Sequence, residues 1–129
     1  MSIKEKIHIL VVDDMSTSRG LIIQALEEIG IKNIHHAADA SQALAVISKT
    51  KIHIILSDYN MPHITGIQLL NAIRSNPSTK STGFILITGR ADKTIIDTGK
   101  SLGMNNFIKK PFTTSELKLC LESVTGSLN

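Results

Sequence analysis

The chain has 129 residues, 42% hydrophobic but only 3% aromatic, with a net charge of +3 and one cysteine. That length suits one domain and not two, and a lone Cys120 excludes an intrachain disulfide and fits a reducing, cytoplasmic setting. The lysines are scattered, which argues against a nucleic-acid surface, and the early apolar run Ile7–Val12 is too short for a signal peptide or a membrane span.

In chain order, Ile7–Val12 reads as a buried strand stopped by Asp13 and Asp14. Residues 17–29 carry Ile22, Ala25, Leu26 and Ile29 at helical spacing, with Gly30 placed to end the helix. A short polar strand, Asn33–Ala37, belongs near an edge. The second helix starts about Ser41, its apolar face built on Ala43, Leu44 and Ile47. Ile52–Ser57 is the third strand and ends at Asp58. The next helix begins near Gly66, buries Leu69, Leu70 and Ile73, and closes at Asn76-Pro77. Phe84–Ile87 is a strand ending at Thr88-Gly89, followed by a helix from Asp92 with Ile95, Ile96, Gly99 and Leu102 on one side. Phe107-Ile108 is the fifth strand, ahead of Lys110-Pro111. The last helix opens with the capping-box pair Thr113 and Glu116 and carries Leu117, Cys120, Leu121 and Val124 as its stripe. Five alternations of this kind predict βαβ crossovers and a doubly wound (βα)5 parallel sheet with helices on both faces.

In such sheets, ligands gather outside the carboxyl ends of the strands. The residues there are Asp13, Asp14, Asp58, Thr88 and Lys110. Three clustered carboxylates cannot all stay ionised without a counter-charge, and all-oxygen ligands suit Mg²⁺, or Mn²⁺. A carboxylate can attack phosphorus, while a lysine and a hydroxyl neutralise and position the transferred group. Taken one at a time these residues have plainer readings. Asp13-Asp14 could merely cap a helix, Phe107 and Cys120 could be core, and His63 could be an exposed loop residue. His35 and His36 point to opposite faces of a strand and make a poor chelating pair.

Four motifs in register carry a resemblance over essentially the whole chain. They are Val11-Val12-Asp13-Asp14, Ser57-Asp58-Tyr59-Asn60-Met61-Pro62, Ile87-Thr88-Gly89 and Lys110-Pro111-Phe112. Together they resemble the response-regulator receiver domain, in its single-domain CheY type. The resemblance implies a flavodoxin-like five-stranded sheet of strand order 2-1-3-4-5, with residues 1–129 as one receiver domain and no output domain. It implies that Asp58 is the phosphoacceptor, and that Asp13, Asp14, Asp58 and the Asn60 backbone carbonyl hold the metal. Lys110 and Thr88 would contact the phosphoryl group, Gly89 would leave it room and a backbone N–H, and Thr88 and Phe107 would form the switch. A CheA-like histidine kinase would be the donor. The readout would be the face made by the fourth helix, the fifth strand and the last helix, including Arg90, Lys93, Lys100, Lys109 and Lys118.

A flagellar motor switch protein or another protein is the implied target, with a phosphate sink or phosphorelay intermediate as the alternative. The chain would be a monomer that binds neither DNA nor membrane, and no enzyme beyond its own phosphorylation and slow autodephosphorylation. An aspartyl-phosphate hydrolase of the haloacid-dehalogenase type would need its two aspartates one residue apart and a cap domain; here they are adjacent. A nucleotide-binding domain would need a Gly-rich loop after the first strand, and none is present.

Overall fold

The computed structural model describes residues 2–89 and 92–128. A short helix, α1 (Ile3–Lys6), precedes β1 (His8–Val12) and α2 (Ser16–Ile29). Then come β2 (Asn33–Ala37), α3 (Ala40–Lys49), β3 (Ile54–Asp58), α4 (Gly66–Ser75), β4 (Gly83–Thr88), α5 (Lys93–Ser101), β5 (Asn106–Lys109) and α6 (Thr114–Thr125). The strands form one parallel sheet in the order β2-β1-β3-β4-β5. The expected topology is therefore the observed one, with α1 as an addition that the apolar pattern did not signal.

Side chains alternate across each strand, and this splits the core into two layers. Ile9, Val11, Ile54, Leu56, Ile85 and Ile87 face α2 and α6, where Ile22, Leu26, Leu117 and Leu121 cover them. Leu10, Val12, Ile55, Phe84 and Leu86 face the other way, onto α3, α4 and α5. The central strands β3 and β4 are buried along their whole length, which is why they read as unbroken apolar runs. The edge strand β2 is mostly half-exposed and correspondingly polar.

Helix starts are set by side-chain caps. Thr113 and Glu116 make the expected capping box, and Thr65 and Gln68 make a second one at α4. Asp39 and Asp92 cap α3 and α5 by accepting backbone N–H groups. Gly30 ends α2 in the left-handed conformation with φ 105°, as a C-terminal glycine does. One expected core position is corrected: Leu44 is 44% exposed, whereas Ala43 and Ile47 lie inward as expected and Val46 packs with them.

Candidate functional site at the carboxyl ends of the strands

Adjacent strands β1 and β3 bring Asp13 and Asp58 together, and the backbone ladder fixes both positions. Asp13 N–H donates to Ala37 O at 3.1 Å, one step past β1. Tyr59 N–H donates to Ile87 O at 2.8 Å, one step past β3, and Lys110 N–H donates to Thr88 O at 2.8 Å, one step past β5. Lys110 stands two strands from Asp58, and its long side chain spans that gap. Its Nζ lies 3.5 Å from Asp13 Oδ2 and 3.6 Å from Asp58 Oδ1.

Asp13 is fully buried and Asp58 is 6% exposed, whereas Asp14 is exposed. Ligand oxygens of all three lie within 4.8 Å of one another. Burial raises the Asp58 pKa above the ordinary carboxylate range; Lys110 opposes the rise, Asp13 adds to it, and the Asn60 backbone N–H opposes it by donating to the carboxylate. Three carboxylates against one lysine leave a surplus of negative charge in a partly desolvated pocket. That oxygen-rich, net-anionic donor set fits a hard divalent cation such as Mg²⁺.

Four residues without an assigned part in the chemistry of the sequence reading help build the site. The Ser18 hydroxyl, from the first turn of α2, donates to Asp13 Oδ2 and accepts from Lys110 Nζ at 2.9 Å. Met15 N–H donates to Asp13 Oδ1 at 3.0 Å, so both carboxylate oxygens are held. Gly66 opens α4 directly against the Asp58 carbonyl, where a Cβ would lie 2.5 Å from that oxygen. A serine in a polar helix start carries no pattern that marks it out; only the fold aims it at Asp13. Arg19 Nη1 also donates to Asp13 O at 2.8 Å and ties α2 to the end of β1.

The remaining expected residues separate by position. Thr88 is buried at the end of β4, 2% exposed. Gly89 is exposed, and a Cβ there would meet nothing within 4 Å. Asn60 is exposed just past Asp58. Phe107 on β5 is half-buried against the α3–α5 core layer, so it is not part of the acidic cluster. His63 is exposed and holds a left-handed φ of 72° in the loop after Asp58. Cys120 is buried, and its thiol is pushed up to about 11. Arg90 lies outside the described residues. No helix of the described residues is long and apolar enough to cross a membrane.

A doubly wound sheet of order 2-1-3-4-5 with an acidic, lysine-compensated pocket at its carboxyl edge defines the class: an α/β domain with a carboxylate cluster that could bind a metal ion. The sequence matches the response regulator receiver domain over residues 9–122, and the chain belongs to that family. It is 42% identical over 128 residues to the probable chemotaxis protein CheY of Rhizobium etli, covering 99% of both chains. It is also 34% identical to the chemotaxis protein CheY of Pseudomonas aeruginosa, covering 94% of this chain and 98% of that one. Among solved structures, chemotaxis response regulator CheY4 of Vibrio cholerae superposes with a TM-score of 0.82 at 29% identity, over 92% of this chain and 98% of that one. The receiver domain of the sensor histidine kinase PA1611 of Pseudomonas aeruginosa, described with a magnesium ion coordinated in its active site cleft, gives 0.82 at 27% identity, over 93% and 98%. The chain is thus a receiver homologous to the CheY chemotaxis response regulators, a signalling family whose members take phosphate from histidine kinases and bind other proteins.

Proposed function

We propose that Asp58 is the phosphoacceptor of a receiver that serves chemotaxis. The observation that carries this is the convergence of Asp13, Asp14 and Asp58 with the Lys110 ammonium 3.6 Å from Asp58 Oδ1. An Asp58 carboxylate oxygen attacks phosphorus. The P–N bond of a phosphohistidine breaks, the imidazole leaves with the electron pair, and an acyl phosphate forms on Asp58. Asp13, Asp14, Asp58 and the Asn60 carbonyl would hold Mg²⁺, or Mn²⁺, which when bound neutralises phosphoryl oxygens and fixes their direction. Lys110 supplies a compact positive charge to the same oxygens, and Thr88 supplies a hydroxyl donor. Open space at Gly89 leaves room for the group, to which its backbone N–H would donate.

The new charge at Asp58 draws Thr88 inward, and Phe107, half-buried on the neighbouring strand, follows into the space behind it. The α5–β5–α6 face then changes, with exposed Lys93, Lys100 and Lys109 on it, and Lys93 paired to Asp97 at 2.9 Å. A partly acidic segment of a flagellar motor switch protein fits that face, and the kinase would be of the CheA kind. The near-complete overlap with a CheY protein supports reading the matched residues as one receiver domain. Incubation with acetyl phosphate and Mg²⁺ followed by intact mass tests the reading. Wild type should gain one phosphoryl group, lost with EDTA or in Asp58→Asn; equal gain by the variant would refute it. Beryllofluoride-dependent binding of a motor switch peptide separates motor control from a phosphate sink.

A further inference from the structure

Three histidines that phosphoryl chemistry does not use meet at the opposite end of the sheet. His8 opens β1, His35 lies in β2, and His53 immediately precedes β3. Side chains two residues apart on a strand point the same way. His8 therefore shares a face with Leu10 and Val12, His35 with Ala37, and His53 with Ile55, all members of the α3–α5 core layer. The sequence pattern drew attention to His35 and His36, which diverge. The fold instead pairs His35 with a residue 27 positions earlier.

His8 Nδ1 and His35 Nε2 are 2.9 Å apart, with ring planes 18° from parallel and ring centres 5.2 Å apart. One nitrogen donates and the other accepts. His53 lies on the other side of His8, ring centres 5.9 Å apart, and its Nδ1 accepts the His8 backbone N–H at 2.9 Å.

A neutral imidazole has one lone pair. His53 uses its own on the His8 amide, so its hydrogen sits on Nε2 and it has no donor electrons left for an ion. It clamps His8 instead. His8 Nδ1 and His35 Nε2 differ, because the single hydrogen between them can leave through solvent to the far nitrogen of the same ring. Two lone pairs then face one small space, and no net proton is released. Burial lowers the pKa of His35, as do His8 and His36; burial, His8 and Lys51 do the same to His53. His35 and His53 thus favour the neutral form, which in His35 is the form that ligates metals.

Two imidazole nitrogens each about 2.0–2.1 Å from one ion stand about 3 Å apart when they bind at a right angle. The observed 2.9 Å matches that cis spacing. Binding requires the rings to turn until the lone pairs converge instead of opposing each other. His8 and His35 are both half-buried, which leaves them a solvent side for that turn and for water ligands. Imidazole donors serve Ni²⁺, Cu²⁺ and Zn²⁺ far better than Mg²⁺, and a right-angled pair favours the tetragonal ions among them.

We propose that His8 Nδ1 and His35 Nε2 form a two-nitrogen site for a divalent transition-metal ion of the Ni²⁺ or Cu²⁺ kind, with water completing its coordination. The site is separate from the acidic cluster, which lies past the other end of the same strands. Untagged full chain, with the acidic cluster saturated by excess Mg²⁺, is titrated with Ni²⁺ by calorimetry and checked with Cu²⁺ by the nitrogen couplings of its paramagnetic resonance spectrum. One ion per chain and two coupled nitrogens are expected. His8→Gln and His35→Gln should each weaken binding at least about tenfold, while His36→Gln and Asp58→Asn leave it unchanged. Wild-type-like affinity in His35→Gln overturns the proposal, as does binding lost with His36 or the absence of saturable binding. Circular dichroism of each variant separates lost ligands from lost fold, and His35→Gln on the edge strand decides if His8→Gln does not fold.

Discussion

Gly66→Ala asks how tightly the backbone behind Asp58 is built. A Cβ at that position lies 2.5 Å from Asp58 O, 2.8 Å from Leu86 Cδ1 and 3.2 Å from Asp58 C. Two of these atoms are backbone at the end of a central strand. Neither side can easily give way, because Gly66 N–H donates to Tyr59 O at 2.9 Å while Tyr59 N–H donates to Ile87 O at 2.8 Å. Forcing a methyl into fixed packing costs about 1–3 kcal/mol. Alanine's helix preference over glycine returns at most about 1 kcal/mol, and less in the first turn. A net loss of about 1–2 kcal/mol should lower Tm by roughly 3–10 °C for a chain of this size.

Gly99→Ala is the matched control. Its Cβ would also meet an atom at 2.5 Å, but that atom is Met104 Sδ, and the three nearest atoms all belong to that one flexible side chain. Met104 can turn aside, and the helix preference offsets most of the remainder, so Tm should stay within about 3 °C of wild type. Urea and thermal melts of the two variants, with m-values compared, are the assay. The steric reasoning is refuted if Gly66→Ala melts with wild type or if Gly99→Ala is the more damaged.

Asp58→Asn should stabilise the metal-free fold. The Asp58 pKa is raised in the native state. Native stability therefore falls as pH rises from the ordinary carboxyl value of about 3.9 through the folded pKa, and stays reduced above it. In EDTA, the variant should melt higher than wild type at pH 7, with the gap closing in acid; a variant that melts lower at pH 7 contradicts this. Ser18→Ala removes the hydroxyl that holds Asp13 Oδ2 and Lys110, and orienting partners of this kind are typically worth about 10–100-fold in metal affinity. Mg²⁺ binding by calorimetry should weaken at least about tenfold, Ser18→Thr should recover most of it, and unchanged affinity in the alanine variant would deny Ser18 that part. Cys120, its thiol pushed up to about 11, should carry about 100-fold less thiolate than an ordinary cysteine at the same pH. Native protein should therefore resist a disulfide reagent at pH 8 until urea is added, and rapid native labelling would place that thiol outside the core.

What could be read from the sequence follows burial. β3 and β4 are covered on both faces, so their apolar runs are continuous and their ends, Asp58 and Thr88, stand out. The acidic cluster was legible for the same reason, since carboxylates at the ends of buried strands have few plain uses. Other contacts depend on long-range placement that local periodicity does not encode. Ser18 reaches Lys110 across 92 positions, and His8 reaches His35 across 27. Gly66 looked like an ordinary helix start until the Asp58 carbonyl was seen against it. Leu44 fitted a helical stripe, yet α3 rests on Ala43 and leaves it 44% exposed.

The central claim concerns one atom of one residue: phosphoryl transfer to Asp58. Treatment with acetyl phosphate and Mg²⁺, borohydride reduction of the acyl phosphate and peptide mapping by mass spectrometry would locate it. The mark should fall at position 58 alone and only with the metal present. A mark on Asp13, Asp14 or a serine, or equal labelling in EDTA, would contradict the account.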